Sequence, residues 1–259
     1  MRIKQSICYS LFRPEDMPLD QFLKTVADIG LAAIEFWGRG DDFEHVVALA
    51  KKNGLAIASM IGHGSLPDGL NKRSNHDRIE DELKVSIDLA AKHSIPGLIC
   101  FSGNRQPFMT EIEAVEAVAD GLRRVAPYAE KHGVNLNLEL LNSKVDHAGY
   151  QCDHTAWGVA VCERVNSPRV KLLYDIYHMQ IMEGDVIRTI QQNIRWIGHF
   201  HTAGNPGRRD MDDTQEMNYA GICKGIAATP YDLYVGHEFN PKGDRIEALR
   251  QTFTLCDQG

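Results

Sequence analysis

The sequence predicts a (β/α)8 barrel, or TIM barrel, because eight apolar, strand-like runs are each followed by a segment with helical spacing of apolar residues. The chain has 259 residues, 43% of them hydrophobic, and about 250 residues is typical of one such barrel. Long polar segments begin near Gly64, Ser143 and Ala203, always after a strand-like run, whereas the links that leave the helices are short. Loops that follow strands form the active-site face of a barrel. No linker divides the chain, so we expect one domain over residues 1–259.

The first four units extend to residue 132, and each joins an apolar run to a segment with helical periodicity. The predicted strands are 3–9, 32–38, 55–63 and 96–103, and the predicted helices are 19–30, 41–54, 79–94 and 112–132. Gly30, Gly54 and Gly133 stand at or just after helix ends, where a left-handed C-cap is common. These glycines support the limits of three of the four helices.

The last four units repeat the plan. The predicted strands are 135–142, 170–178, 196–204 and 233–239, and the predicted helices are 154–166, 185–194, 218–229 and 245–256. The stretch 170–205 shows it most clearly, because Val186 and Ile190 lie on one side of a short helix between two strand-like runs. In the second of these runs, alternation places His199 and His201 on one face.

Composition and charge exclude several classes of function. The net charge is -7 and lysines and arginines form no cluster, which argues against nucleic acid as the partner. Six cysteines form no CxxC pair, so we expect reduced thiols in the cytoplasm. No apolar run approaches the roughly 20 residues that span a membrane, and the amino terminus lacks the apolar core of a signal peptide. We therefore expect a cytoplasmic protein with a small-molecule partner.

Four residues at or near the ends of strands five to eight are candidate metal ligands: Glu139, Asp175, His201 and Glu238. Any one of them is more often a helix cap or an ion-pair partner, but neighbouring barrel strands would bring all four together. Glu139 and Glu238 stand within apolar runs, where an unpaired carboxylate is costly to bury. Three carboxylates and an imidazole suit one divalent ion such as Mn²⁺, Mg²⁺ or Co²⁺.

Four further residues are candidates to contact the substrate. His178 lies three residues beyond Asp175, past the regular strand, so it can point at a substrate instead of the metal. Arg208 lies in the polar loop after strand seven, where a guanidinium can hold a substrate carboxylate with two hydrogen bonds. His63 and Trp37 follow earlier strand-like runs and are candidates to line the pocket.

Three motifs carry a resemblance to a known family. They are YDIYHMQIMEGD over residues 174–185, NPGR over residues 205–208 with its flanking segments, and GHEF over residues 236–239. With these motifs the chain resembles the hydroxypyruvate isomerase family, within the xylose-isomerase-like TIM barrels that include ketose 3-epimerases. The resemblance covers most of the chain and is strongest from Glu139 to Phe239.

The resemblance implies roles for the candidate residues. Glu139 and Glu238 match the paired glutamates that act as acid and base and also hold the metal. Asp175 and His201 complete the metal ligands, and His178 matches the histidine that contacts a substrate oxygen. Some hydroxypyruvate isomerases have Gln at the position of His201, whereas the epimerases have His, so both activities stay open. The resemblance also implies a homo-oligomer.

The residues favour a metal-dependent isomerase that acts on adjacent carbonyl and hydroxyl groups through an enediolate. The leading prediction is the interconversion of hydroxypyruvate and tartronate semialdehyde, which is a hydroxypyruvate isomerase. The alternatives are a ketose 3-epimerase and a lyase or dehydratase on the same metal barrel. A non-catalytic sugar-acid binding protein ranks last, because burying three carboxylates is a poor way to bind an anion.

Overall fold

Eight parallel strands close into a barrel in the computed structural model, which describes residues 3–258. The strands are β1 Lys4–Cys8, β2 Ala33–Phe36, β3 Ala56–Ile61, β4 Gly97–Cys100, β5 Asn135–Glu139, β6 Val170–Asp175, β7 Ile197–Thr202 and β8 Tyr234–His237. They follow chain order around the barrel, and β1 pairs with both β2 and β8. The predicted (β/α)8 barrel is confirmed. The domain expected over residues 1–259 extends at both ends past the described residues.

Each strand is followed in the chain by at least one helix. The helices are α1 Tyr9–Phe12, α2 Leu19–Ile29, α3 Phe43–Lys52, α4 His76–His93, α5 Glu111–His132, α6 Thr155–Val165, α7 Ile176–Met182, α8 Val186–Asn193, α9 Tyr219–Ala227 and α10 Arg245–Cys256. Short 3-10 turns cover Arg73–Asn75 and Ile194–Trp196. All eight predicted helices are present within a few residues of the expected limits, whereas the short helices α1 and α7 were not predicted.

The longest of these helices, α5, shows how local sequence sets the limits of an element. Thr110 accepts a hydrogen bond from the backbone of Glu113, and the Glu113 side chain accepts one from the backbone of Thr110. This reciprocal capping box satisfies two amides that the first turn would leave unpaired. At the other end Gly133 adopts φ 70°, a left-handed conformation that glycine reaches without strain. Both signals are readable in the sequence.

The strand predicted over residues 170–178 is too long, because β6 ends at Asp175 and α7 begins at once. The side chain of Asp175 accepts a hydrogen bond from the backbone N–H of His178 at 2.9 Å, so it caps α7. Apolar residues in IYHMQIM fit a buried strand and a buried short helix equally well, which is why periodicity misjudged the segment. As a result, His178 lies on the first turn of a helix.

Strand β7 contains an irregularity between Ile197 and His199. Leu172 pairs with Ile197, but Leu173 pairs with His199, so β7 has one extra residue at this point. A Cβ atom at Gly198 would lie 2.2 Å from Asn137 Oδ1, a contact that only glycine avoids. The bulge therefore shifts the register of the strand that carries the histidines.

Strand and helix side chains form one continuous buried apolar cluster. All six cysteines are buried and free, in agreement with the expectation of unpaired thiols. Among residues 3–258 the structure has no helix that is both long and apolar enough to cross a membrane.

Candidate metal centre and active site

Four side chains meet at the carboxyl end of the barrel strands. Glu139 and Asp175 end β5 and β6, His201 is in β7, and Glu238 directly follows β8. One ligand atom of each lies within 4.8 Å of the others. All four side chains are buried. The barrel thus brings together the four residues that the sequence singled out.

Three buried carboxylates so close together need positive charge. Burial raises the pKa of Glu139, and the charges of Glu238 and Asp175 raise it further. Burial and the charge of Glu238 raise the pKa of Asp175 to about 6. Burial also opposes the ionisation of Glu238, but His201 and Arg208 together lower the pKa of this carboxyl. A cation among these oxygens would relieve both the burial and the repulsion.

The surroundings of the ring nitrogen His201 Nδ1 indicate whether the four residues fit a metal. It is buried without a hydrogen-bond partner in the described structure, 3.4 Å from Glu238 Oε2 and 3.6 Å from Glu139 Oε1. Burial alone would lower the pKa of His201, but the nearby carboxylates raise it well above its usual value. A proton and a cation would therefore compete for Nδ1. The residues fit a hard divalent cation, such as Mn²⁺, Mg²⁺ or Co²⁺, with three carboxylate ligands and one imidazole.

A fourth buried carboxylate, Glu35, lies beside the candidate metal ligand His201. Its Oε2 lies 3.0 Å from His201 Nε2 and 2.9 Å from His199 Nε2, and its Oε1 accepts a hydrogen bond from the Ser6 hydroxyl at 2.5 Å. With Nε2 of His201 donating to Glu35, Nδ1 faces the other ligands. A Cβ at Gly236 would lie 2.1 Å from Glu35 Oε1, so β8 makes room for this carboxylate.

Sequence reasoning missed Glu35 although the signal was present. The residue stands in the apolar run AAIEFWG, just as Glu139 stands in NLNLELLN. A buried carboxylate in such a run needs a partner. The same argument that selected Glu139 and Glu238 therefore also selects Glu35.

Trp37 and Arg208 both contact Glu238. Trp37 Nε1 donates a hydrogen bond to Glu238 Oε1 at 2.7 Å, and Arg208 Nη2 donates one to Glu238 Oε2. The Arg208 guanidinium also lies over the ring of Tyr177, 5.9 Å from its centroid. Arg208 therefore lies beside the candidate ligand cluster and contacts Glu238, whereas its contact with a substrate carboxylate stays a prediction.

His178 is fully buried beside Asp175. Its Nε2 lies 3.7 Å from Asp175 Oδ2 and has no hydrogen-bond partner in the described structure. Burial and the charge of Arg208 lower the pKa of His178 well below its usual value, which favours the neutral imidazole. The ring of His147 lies 5.2 Å from that of His178. No pattern in the polar loop singles out His147.

A cavity of about 240 Å³ opens over the cluster. Its lining combines apolar and polar side chains: Trp37, Ile61, Leu66, Ile99, Phe101, Glu139, Leu141, His147, Arg208 and Glu238. A second cavity, of about 470 Å³, shares Trp37, Leu66 and Phe101 with it and is also lined by His63. The Nε2 of His63 accepts a hydrogen bond from the Phe101 backbone at 2.9 Å. His63 therefore lines the neighbouring cavity and not the cavity over the ligand cluster.

Comparison with known proteins identifies the family. The model of the xylose isomerase-like TIM barrel family matches residues 23–256. A 2-oxo-tetronate isomerase from Cupriavidus necator is 33% identical over 93% of this chain and 94% of its own length. The hydroxypyruvate isomerase of Escherichia coli is 30% identical over 67% of each chain. A solved structure of L-ribulose 3-epimerase superposes with a TM-score of 0.79 at 21% identity, and the match covers 98% of this chain and 93% of that one. This chain belongs to the xylose isomerase-like TIM barrel family.

Proposed function

We propose that this protein is a metal-dependent isomerase of short hydroxy-carbonyl acids. The observation that carries the proposal is the pair of buried glutamates, Glu139 and Glu238, whose oxygens flank His201 Nδ1 at the base of a cavity. A relative that matches most of the chain is named 2-oxo-tetronate isomerase, and one that matches two thirds of it is named hydroxypyruvate isomerase. Both names support this substrate class.

The proposed reaction is a proton transfer between neighbouring carbons. With hydroxypyruvate, one glutamate takes a proton from carbon 3, and the other delivers a proton to carbon 2. The hydroxyl proton moves from the oxygen on carbon 3 to the oxygen on carbon 2, which gives tartronate semialdehyde. Glu139, Asp175, His201 and Glu238 would hold the divalent cation, which when bound supplies electrophilic stabilisation of the negative charge on the substrate oxygens.

Arg208 would select an acidic substrate. Its guanidinium lines the cavity and reaches Glu238, so the carboxylate of a 2-oxo acid can be held close to the reacting carbons. A neutral ketose has no group that needs this charge. The apolar wall formed by residues such as Ile99, Phe101 and Leu141 suits a short carbon chain.

A ketose 3-epimerase is the second candidate. In that reaction the proton returns to the same carbon from the other face, so the same two glutamates would serve. The observation that favours it is His201, the ligand type that the resemblance assigns to the epimerases. A lyase or dehydratase would use the same enediolate intermediate to expel a leaving group. Separately, we propose that the protein forms a homo-oligomer.

Turnover in D2O separates these reactions. Metal-stripped protein with added Mn²⁺ would be offered hydroxypyruvate, 2-oxo-tetronate and neutral ketoses, and NMR would locate the deuterium. We expect deuterium at carbon 2 of tartronate semialdehyde. Deuterium at carbon 3 of a ketose, with the acids untouched, would establish the epimerase instead. Release of a leaving group would indicate a lyase. Binding of these compounds without turnover or deuterium exchange would reject the assignment as an enzyme and favour a binding protein.

A further inference from the structure

The amide of Asn142 has only one orientation that its surroundings accept. Its Oδ1 accepts hydrogen bonds from the backbone N–H groups of Val145 and Asp146, both at 2.9 Å. Its Nδ2 donates to Asp146 Oδ2 at 2.6 Å and lies 2.6 Å from His178 Nδ1. Reversing the amide would place its oxygen against a carboxylate and its NH2 group against two N–H donors. Asn142 therefore presents an N–H to His178.

This orientation determines where His178 carries its proton. An N–H from Asn142 that points at Nδ1 requires a lone pair on Nδ1, because two facing donors repel each other. The proton of the imidazole must then be on Nε2. In the described structure Nε2 is a buried donor without a partner, 3.7 Å from Asp175 Oδ2. Buried donors are rarely left unpaired, so this N–H indicates an oxygen that the protein itself does not supply.

We propose that Asn142 is a positioning residue that holds His178 in the tautomer with the proton on Nε2. This N–H is then available for the substrate oxygen that the resemblance already assigns to His178, and Nε2 has no lone pair for the metal. The tautomer follows from the hydrogen bonds alone, whereas its use on a substrate oxygen rests on the proposed function. The tyrosine hydroxyl of Tyr177 donates to Asp146 Oδ2 at 2.9 Å and so helps to fix the carboxylate that orients Asn142.

Nitrogen NMR of protein labelled with 15N-histidine tests the tautomer directly. Mg²⁺ would be used because it is diamagnetic, and the signals of His178 would be identified by their loss in His178→Gln. We expect a proton on Nε2 and none on Nδ1. A proton on Nδ1 of the wild-type protein would overturn the proposal. This readout needs no turnover, so a failed isomerase assay leaves the result on the tautomer intact.

A double variant should reverse the tautomer. Asn142→Asp with Asp146→Asn keeps the net charge, but it places a carboxylate oxygen opposite Nδ1, so we expect Nδ1 to become protonated. The matched control is Asp146→Asn alone, which keeps the Asn142 N–H opposite His178. We expect kcat of the double variant to fall roughly 10²- to 10³-fold, the usual loss of a positioned donor, with a smaller change in KM. Nδ1 that stays bare in the double variant would contradict the role of Asn142, and an unchanged kcat with the proton moved would contradict the substrate contact.

Discussion

At the scale of single residues, the site depends on carboxylates that apolar strands could not bury alone. Glu35, Glu139 and Glu238 all stand in apolar runs, and each is partnered by His201 or lies within 4 Å of it. They differ in the nitrogen that they contact: Glu35 bonds Nε2 of His201, whereas Glu139 and Glu238 lie on either side of Nδ1. A glutamate within an apolar run predicts a buried charge. Only the barrel geometry distinguishes the candidate metal ligands Glu139 and Glu238 from Glu35, which bonds the other nitrogen of His201.

Replacing either glutamate of the pair should abolish most turnover. We expect Glu139→Gln and Glu238→Gln each to lower kcat by roughly 10²- to 10⁴-fold, the usual contribution of a positioned acid or base. Glu163→Gln is the matched control, because Glu163 is exposed on α6. Metal content would be measured by elemental analysis alongside the rate. A Gln variant that keeps both its metal and a near-normal rate would remove that residue from the mechanism.

Arg208 should matter more for acids than for neutral sugars. We expect Arg208→Ala to raise KM for hydroxypyruvate roughly ten- to hundredfold, consistent with losing a charge-assisted hydrogen bond of about 1.5 to 3 kcal/mol. Arg208→Lys should recover only part, because an ammonium does not reproduce the planar fork. Steady-state kinetics on an acid and a ketose provide the comparison. Equal effects on both substrates would mean that Arg208 acts through Glu238 rather than on the carboxylate.

At the scale of elements, the strands and long helices were predictable and two local features were not. Capping residues and periodicity predict α5 to within a residue at its start. The first three residues of α7, 176–178, were predicted as strand because apolar residues fill a buried position in either form. The bulge beside Gly198 was not predicted, although a glycine inside a strand often marks one. The space that requires glycine there is limited by Asn137 on β5, which is not a sequence neighbour. Long-range packing determines what local sequence leaves open.

The glycine in β8 offers a test of this packing. A Cβ at Gly236 would overlap Glu35 Oε1 at 2.1 Å, so Gly236→Ala should push Glu35 away from His201. We expect a loss of about 1 to 3 kcal/mol in the free energy of unfolding and weaker Mn²⁺ binding by calorimetry. Gly243→Ala is the control, since a Cβ there meets nothing within 4 Å. Equal behaviour of the two variants would show that Glu35 has room to move.

At the scale of the whole molecule, strand order explains why the site was predictable in outline. Residues at the ends of β5 to β8 are far apart in sequence, but a barrel closed in chain order brings them to one mouth. The candidate ligands could therefore be selected from strand ends alone. Glu35 is on β2, outside this group of strand ends, so only its apolar surroundings could have singled it out. Asn142 follows β5 in a loop, and its contact with His178 on α7 depends on a helix that the sequence did not predict.

The stability of the whole fold should depend on His63 in acid. Burial lowers the pKa of His63 to about 4, below the roughly 6.5 expected for the unfolded chain. The unfolded chain thus takes up the proton first, and stability that is present above about pH 6.5 is lost as the pH falls toward 4. At 1.36 kcal/mol per pKa unit this is about 3 kcal/mol. Urea unfolding of wild type and His63→Gln from pH 7 to 4 checks it, and we expect a shallower pH dependence for the variant. Parallel curves would exclude His63 as the cause.

The central claim is that one divalent cation binds at the mouth of the barrel, and anomalous diffraction from crystals soaked in Mn²⁺ tests it most directly. We expect a single strong peak with oxygens of Glu139, Asp175 and Glu238 and Nδ1 of His201 at about 2.0 to 2.6 Å from it. Nε2 of His178 should stay outside this shell. The absence of a peak at that position, with the four ligand atoms more than about 3 Å from any shared centre, would contradict the metal site and the isomerase built on it.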